Sequence, residues 1–203
     1  IAICGNGAFV YDVALDRVVE EFPLDAATAS ELVEDLLRRV PGIVFAAERG
    51  SGVTYAVDFP DRDGTAPGAP ELLVGELAAE PVGKLLARHP HMRSREFFDA
   101  VREVVGDRGA LAYSGAVGLA EITAPGATKG LALQRWSEEH GIPACDVWAF
   151  GDMFNDLPML GWAGVGYAVG NAHPDVRAAA DRVCGTNDED GVAAVIEALL
   201  IAE

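Results

Sequence analysis

The run Val147-Trp148-Ala149-Phe150 ends abruptly in Gly151-Asp152, and Met153-Phe154-Asn155-Asp156 follows at once. A short apolar run bounded by such a break reads as a buried strand that delivers carboxylates to a sheet edge. In open α/β sheets ligands sit in the crevice beyond the carboxyl ends of the strands, where Asp152 and Asp156 would then fall. The competing reading of this segment alone is an Asp-rich turn that caps the helix after it.

Upstream, Glu121-Ile122-Thr123-Ala124-Pro125-Gly126-Ala127-Thr128-Lys129-Gly130 predicts a strand, a Pro-Gly turn and a helix with Thr128 as its N-cap. Lys129 then sits in the first turn, where a cation opposes the helix dipole by roughly 0.3 to 1 kcal/mol unless an anion is bound nearby. A lone lysine there is ordinarily a solvated side chain. Combined with the Gly-Asp segment, it points to a site for an anion and a metal.

Beyond Lys129 the pattern alternates: helix to His140, strand to Phe150, helix through Leu160, strand Gly166 to Val169, helix from Pro174, strand near Val183 and a last helix from Gly191. Such alternation predicts a parallel sheet covered by helices. The last helix puts Val192, Val195, Ile196, Leu199 and Leu200 on one face, as for a surface helix packed on a sheet. Before Lys129, Ile1 to Cys4 reads as a core strand, and Ala8 to Tyr11 with Val18 to Phe22 as a hairpin leading away from it. A helix follows at Ala26 to Val40, with Leu32, Val33, Leu36, Leu37 and Val40 at helical spacing. Strands come near Ile43 to Glu48, Val53 to Val57 and Val82 to Ala87. A helix at Ser94 to Val105 is next, with Ser94 as a possible cap, and strands near Ala110 to Tyr113 and Gly118 to Ile122 lead back to the core. The loops Gly5 to Ala8, Gly126 to Lys129, Gly151 to Asp156 and Gly170 to Ala172 are therefore expected to converge on one crevice.

With 203 residues, half of them hydrophobic, the chain can bury a substantial core. A net charge of −17 argues against nucleic acid and anionic membranes as partners. Cys4, Cys145 and Cys184 are far apart and odd in number, which reads as free thiols in a reducing cytoplasm. No signal peptide or membrane-length apolar run occurs.

Four segments in one order resemble the Cof-type phosphatases of the haloacid dehalogenase (HAD) superfamily: Ile3-Cys4-Gly5-Asn6-Gly7-Ala8, Ala124 to Gly130 with Lys129, Gly151-Asp152 through Asn155-Asp156 with Met159, and Ala168-Val169-Gly170-Asn171-Ala172. The third-motif lysine and the fourth-motif carboxylates together are the specific part. The resemblance implies an α/β fold with a Rossmann-like core, residues 1–18 and 114–203, and an inserted α/β cap, residues 19–113. It also implies magnesium-dependent phosphoryl transfer through an aspartyl-phosphate.

Under that reading Asp152 is the best direct ligand for Mg2+, because the ion favours carboxylate oxygens, and Asp156 either holds a metal-bound water or orients Lys129. Lys129 would offset charge on the nucleophile and the transferring group. Asn155 would hydrogen-bond the phosphate or brace its loop. Asn171 would face an anion or cap a helix entered at Pro174, and Asn6 would do the first or simply form the turn that Asn-Gly favours.

One departure stands out. The family's nucleophilic Asp, its acid/base partner and the second-motif Ser or Thr belong upstream of the Asn-Gly-Ala segment, with which this chain begins, so the chain is expected to be the downstream part of a longer protein. Asp61-Arg62-Asp63-Gly64-Thr65 has the spacing of the missing first motif. Pro60 directly before it is incompatible with a central strand, and a breaker-rich stretch follows, so a surface loop is the better reading. His89-Pro90-His91 reads as an exposed loop rather than a metal site, and Trp136, Trp148 and Trp162 as core. Tyr55, Lys84 and Arg88 lie on presumed cap strands, where register alone decides which side chains share a face.

The resemblance therefore implies a Mg2+-dependent phosphatase of small phosphorylated metabolites, expected in the cytoplasm and without its nucleophile in these 203 residues. The alternatives are a non-catalytic phosphate-binding fragment and a sugar phosphomutase. Substrate identity and oligomeric state are not legible.

Overall fold

The structure is a computed structural model that describes residues 1–60, 71–92, 95–113 and 117–201. Ser94 and the Asp61 to Thr65 segment lie outside the described residues. The chain divides into two compact units, Ile1–Thr128 and Lys129–Glu203.

The first unit opens with an antiparallel meander of β1 (Ala2–Cys4), β2 (Phe9–Asp12) and β3 (Arg17–Glu21). β1 pairs with β2 through Ile3 opposite Val10. The turn joining them puts Gly5, Asn6 and Gly7 at φ of 57°, 58° and 103°. Three successive left-handed residues require this Gly-Asn-Gly sequence, because a β-carbon is strained there in every residue type but Gly and, less severely, Asn. Ile1 to Cys4, expected as a core strand with a hairpin leading away from it, is thus a member of the same antiparallel sheet as that hairpin.

Next come α1 (Ala26–Arg39), β4 (Val44–Arg49), β5 (Gly52–Ala56), β6 (Glu71–Leu72), α2 (Val74–Leu77), β7 (Lys84–Arg88), α3 (Arg95–Val105), β8 (Ala110–Ala112) and β9 (Leu119–Thr123). Asp25 starts α1 by accepting the Thr28 N–H at 2.9 Å, which holds the Asp25 carboxyl below the usual carboxylate range. The strands form one sheet in the order β6-β5-β4-β7-β9-β8. β9 pairs with β7 and β8, so this sheet runs past residue 113 to Thr123. Alternate residues Phe45, Ala47, Leu85, Ala87, Ala120 and Ile122 bury one sheet face in a single core with Leu32, Val33 and Leu36 of α1 and Phe97 and Val101 of α3. Leu37, included in the predicted apolar face of α1, is exposed.

His89 departs from its expectation as an exposed loop residue: it is buried. Its Nδ1 accepts the N–H groups of His91 and Met92 at 3.1 and 2.8 Å, while Nε2 lies 3.0 Å from the Pro41 carbonyl. These partners assign the ring proton to Nε2 and make His89 a turn-former beneath the sheet end.

The second unit contains α4 (Lys129–Glu139), β10 (Trp148–Gly151), α5 (Leu157–Trp162), β11 (Val165–Ala168), α6 (Pro174–Ala179), β12 (Arg182–Val183) and α7 (Gly191–Ile201). β10, β11 and β12 form a parallel sheet in that order, as the alternation predicts. Its core is Ala149, Leu160, Ala168, Val169, Ala172 and Val176. α7 does not bury the face its periodicity defines: Val192 packs on this core, but Ile196, Leu199, Leu200 and Ile201 are exposed among the described residues. Amphipathic spacing specifies which side of a helix is apolar, but a neighbour is needed to cover it. Trp136, Trp148 and Trp162, expected as core, are each half-buried; Trp136 stacks on His140 and Trp148 lies against Tyr167.

No helix among the described residues is long and apolar enough to cross a membrane.

Candidate active site

The site is built from two loops of the second unit and the first residue of α4. Ahead of it, the Pro125-Gly126 turn is closed by the Ala127 N–H donating to the Ala124 carbonyl at 2.8 Å, and the Thr123 hydroxyl donates to the Ala127 carbonyl at 2.7 Å. Lys129 opens α4 as predicted, directly after Thr128. α4 packs tightly on α5: a β-carbon on Gly130 would stand 2.8 Å from the Pro158 carbonyl carbon. That close approach brings the first turn of α4 beside the loop after β10.

The loop itself folds around Asp156. After Gly151 the chain leaves β10, passes Asp152 and Met153 and enters a one-turn 3-10 helix, Phe154–Asp156. Asp156 Oδ2 accepts the N–H groups of Asp152 and Met153 at 2.9 and 3.0 Å. Its Oδ1 accepts from Lys129 Nζ at 2.6 Å. A carboxylate with three charge-assisted or backbone hydrogen bonds is a strong anchor. Asp156 is only 3% exposed, and burial pushes its carboxyl up, but the Lys129 ammonium and the two N–H groups outweigh this and hold it below the ordinary range.

Asp152 is in the opposite condition. Burial raises its carboxyl pKa, the neighbouring Asp156 charge raises it further, and Lys129 only partly compensates. The loop therefore presents one carboxylate locked to a lysine and a second, half-buried, in excess negative charge. A hard divalent cation would answer that excess. The residues present fit Mg2+ through oxygen donors: Asp152 as ligand, beside an Asp156 whose oxygens are already engaged. Among the described residues no third His, Cys, Asp or Glu joins them in a metal-holding group.

Asn155 lies half-buried in the same turn. The Gly170 to Ala172 loop is held nearby, since the His173 N–H donates to the Asp152 carbonyl at 3.0 Å and the rings of Phe154 and His173 lie 4.4 Å apart. Asn171 is exposed and its Oδ1 accepts the Asn187 N–H at 3.0 Å, so its side chain braces the loop before α7. The helix entry lies two residues later, with His173 as N-cap and Pro174 at the first helical position. His173 had no motif to mark it. Its one signal is that a residue preceding proline is driven to extended backbone, which suits a cap. Lys129, Asp152, Asn155, Asp156 and the Asn171 loop thus belong to one unit, while Asn6 lies in the β1–β2 turn of the other.

Gly151, at the end of the strand, decides whether Asp156 can sit where it does. A β-carbon at Gly151 would come 2.4 Å from the Asp156 β-carbon and 2.8 Å from its carboxyl carbon. Gly151→Ala is expected to destabilise the protein by about 2 kcal/mol, an overpacking cost, and to reduce any activity that needs the loop. Urea denaturation would read the first effect; an unchanged midpoint would show that the loop yields without cost.

The family model described as haloacid dehalogenase-like hydrolase matches residues 1–196. The chain is 29% identical over 214 aligned positions to the pyridoxal phosphate phosphatase YbhA of Escherichia coli, covering 98% of this chain and 77% of that protein. It is 47% identical over 73 residues to the 5-amino-6-(5-phospho-D-ribitylamino)uracil phosphatase YitU of Bacillus subtilis, a match spanning 36% of this chain and 27% of that protein. Among solved structures, the HAD subclass IIB sugar phosphatase BT4131 superposes with a TM-score of 0.76 at 21% identity, over 97% of this chain and 74% of that one. SMU.1108c from Streptococcus mutans gives 0.78 at 25% identity, over 97% and 75%. At 21% identity the BT4131 likeness speaks to the α/β fold alone.

Proposed function

This chain belongs to the haloacid dehalogenase-like hydrolase family, and we propose that it is the downstream part of a Mg2+-dependent phosphatase of small phosphorylated metabolites. The observation that carries the reading is the pairing of Lys129 Nζ with Asp156 Oδ1 at 2.6 Å beside the half-buried Asp152. Moving a phosphoryl group asks the protein for little beyond position and neutralised charge. Asp152 would hold the metal, which when bound supplies positive charge to the phosphate oxygens. Lys129 offers a second positive charge from a fixed direction, and Asp156 is the positioning residue that fixes it. Asn155 supplies an amide that can hydrogen-bond a phosphate oxygen. The activities in the names of YbhA and YitU agree with a phosphomonoester substrate.

The carboxylate nucleophile is proposed to lie in a segment outside these residues. Three observations support this: the chain spans 77% of YbhA and 74% of BT4131, β10 has a sheet neighbour on one side only among the described residues, and the apolar side of α7 is exposed. The test is to purify the 203-residue chain and a version extended by the upstream coding sequence in parallel. The extended protein is expected to hydrolyse para-nitrophenyl phosphate in a Mg2+-dependent manner, and the chain alone only at background. Robust hydrolysis by a chain verified by intact mass to start at Ile1 would put the nucleophile inside it. No hydrolysis by the extended protein on any phosphomonoester would remove the phosphatase reading.

Asp61 and Asp63 are expected to be bystanders despite their motif-like spacing. Asp61→Asn and Asp63→Asn in the extended protein should leave turnover unchanged, because Pro60 and the breaker-rich stretch after Thr65 do not suit the central strand a nucleophile needs. Loss of several orders of magnitude, with phosphate trapped on Asp61, would reassign the nucleophile.

A further inference from the structure

The loops that follow β10 and β11 are tied to each other next to Asp152. The Val169 N–H donates to the Gly151 carbonyl at 3.1 Å, and the His173 N–H donates to the Asp152 carbonyl at 3.0 Å. The Asp152 N–H donates in turn to Asp156 Oδ2 at 2.9 Å. Both polar groups of the Asp152 main chain are therefore engaged, one by Asp156 and one by His173. A residue held at its N–H and at its carbonyl has its Cα–Cβ bond aimed, and only its side-chain torsions are left to vary.

Asp152 needs such a hold. Like charge on Asp156 pushes the Asp152 carboxylate away, so the main chain has to supply an aim that electrostatics opposes. The direction of the His173 N–H is set in turn by the His173 side chain. Its Nδ1 accepts the Asp175 N–H at 3.2 Å, which makes His173 the N-cap of α6 and fixes the bend of chain in which its own N–H lies. Its ring also lies 4.4 Å from the ring of Phe154. Phe154 belongs to the loop of Asp152, and at 42% exposure it contributes little to a core. The ring contact and the main-chain hydrogen bond thus join the same two loops twice.

We propose that His173 is a positioning residue for the metal-binding carboxylate: with Phe154 it latches the loop after β11 onto the loop after β10 and so holds Asp152 in place for a divalent cation. The role rests on the reading of Asp152 as the Mg2+ ligand. Partners one step removed from a metal are commonly worth about ten- to a hundredfold in metal affinity.

The experiment measures Mg2+ binding by titration calorimetry on the upstream-extended protein and its variants, with turnover of phenyl phosphate recorded alongside. His173→Ala removes ring and cap together and is expected to raise the Mg2+ dissociation constant about ten- to a hundredfold. His173→Asn restores a capping oxygen but no ring, so it should regain the thermal midpoint of the metal-free protein and only part of the affinity. Phe154→Leu leaves the cap intact and should weaken Mg2+ binding by itself. The double variant of Phe154→Leu with His173→Ala should bind no more weakly than His173→Ala, because both changes open one latch. If His173→Ala does not fold, His173→Asn and Phe154→Leu decide the question. Unchanged Mg2+ affinity in the variants, with or without a lowered thermal midpoint, overturns the proposal and leaves His173 a helix cap only. Losses that multiply in the double variant overturn it too, since the two side chains would then act separately, and so does an unmodified protein that binds no Mg2+. Mg2+ binding without hydrolysis of any phosphomonoester strikes the phosphatase reading alone, and the affinities still decide the role of His173.

Discussion

Asp152→Asn in the upstream-extended protein is expected to lower Mg2+-dependent phosphatase turnover by about a thousandfold without loss of the fold. The rate effect follows from removing a negative oxygen donor from a hard cation that stabilises charge by several kcal/mol, where each 1.4 kcal/mol is about tenfold. The stability effect has the opposite sign from most carboxylate losses. Burial and the Asp156 charge both disfavour ionised Asp152 in the folded chain and Lys129 only partly offsets them, so a neutral isostere relieves a net repulsion. The thermal midpoint should therefore hold or rise. Lys129→Ala should cost similar turnover, but the two variants separate in metal dependence. Asp152→Asn should raise the Mg2+ concentration needed for half-activation, whereas Lys129→Ala should lower the maximum with a smaller shift. Wild-type turnover in either variant would remove that residue from its role.

Asp156→Ala is expected to cost both stability, by about 3 kcal/mol, and at least a hundredfold in turnover. The carboxylate is buried and receives Lys129 Nζ and the N–H groups of Asp152 and Met153. Its removal leaves two loop amides and an ammonium without their acceptor, and Lys129, a third exposed, is free to leave for solvent. Chemical denaturation and turnover measured on the same preparation test the two halves together. A variant with wild-type stability and impaired turnover would make Asp156 a direct participant rather than the anchor of the loop. A variant with neither effect would sink the assignment.

The legible part of this site is the part written in short-range chemistry. Gly151-Asp152 after an apolar run marked the end of β10, and Thr128-Lys129 after Pro-Gly marked the start of α4, because turn and helix-entry preferences are set by a few neighbouring residues. Lys129 and Asp156 are 27 residues apart, and one of the roles read for Asp156, that of orienting the lysine, is the one its 2.6 Å contact supports. Asn171 was harder. Its loop does lie against Asp152 through His173, but its own side chain is tied to the Asn187 amide, a choice made by where the chain returns before α7.

From the sequence by itself came the order and kind of nearly every element and the identity of the carboxylates and lysine, since periodicity and turn chemistry are local properties of the chain. Only the tertiary structure decided which carboxylate is locked to Lys129 and which is left in excess negative charge, that His89 is buried under a sheet end, and that α7 leaves its apolar side exposed among the described residues. It also decided that Glu48, Lys84 and Glu121 meet on one face of the six-stranded sheet. These outcomes depend on strand register and on what covers each surface. A shift of one residue along β7 would send Lys84 to the opposite face, and no local propensity encodes that choice.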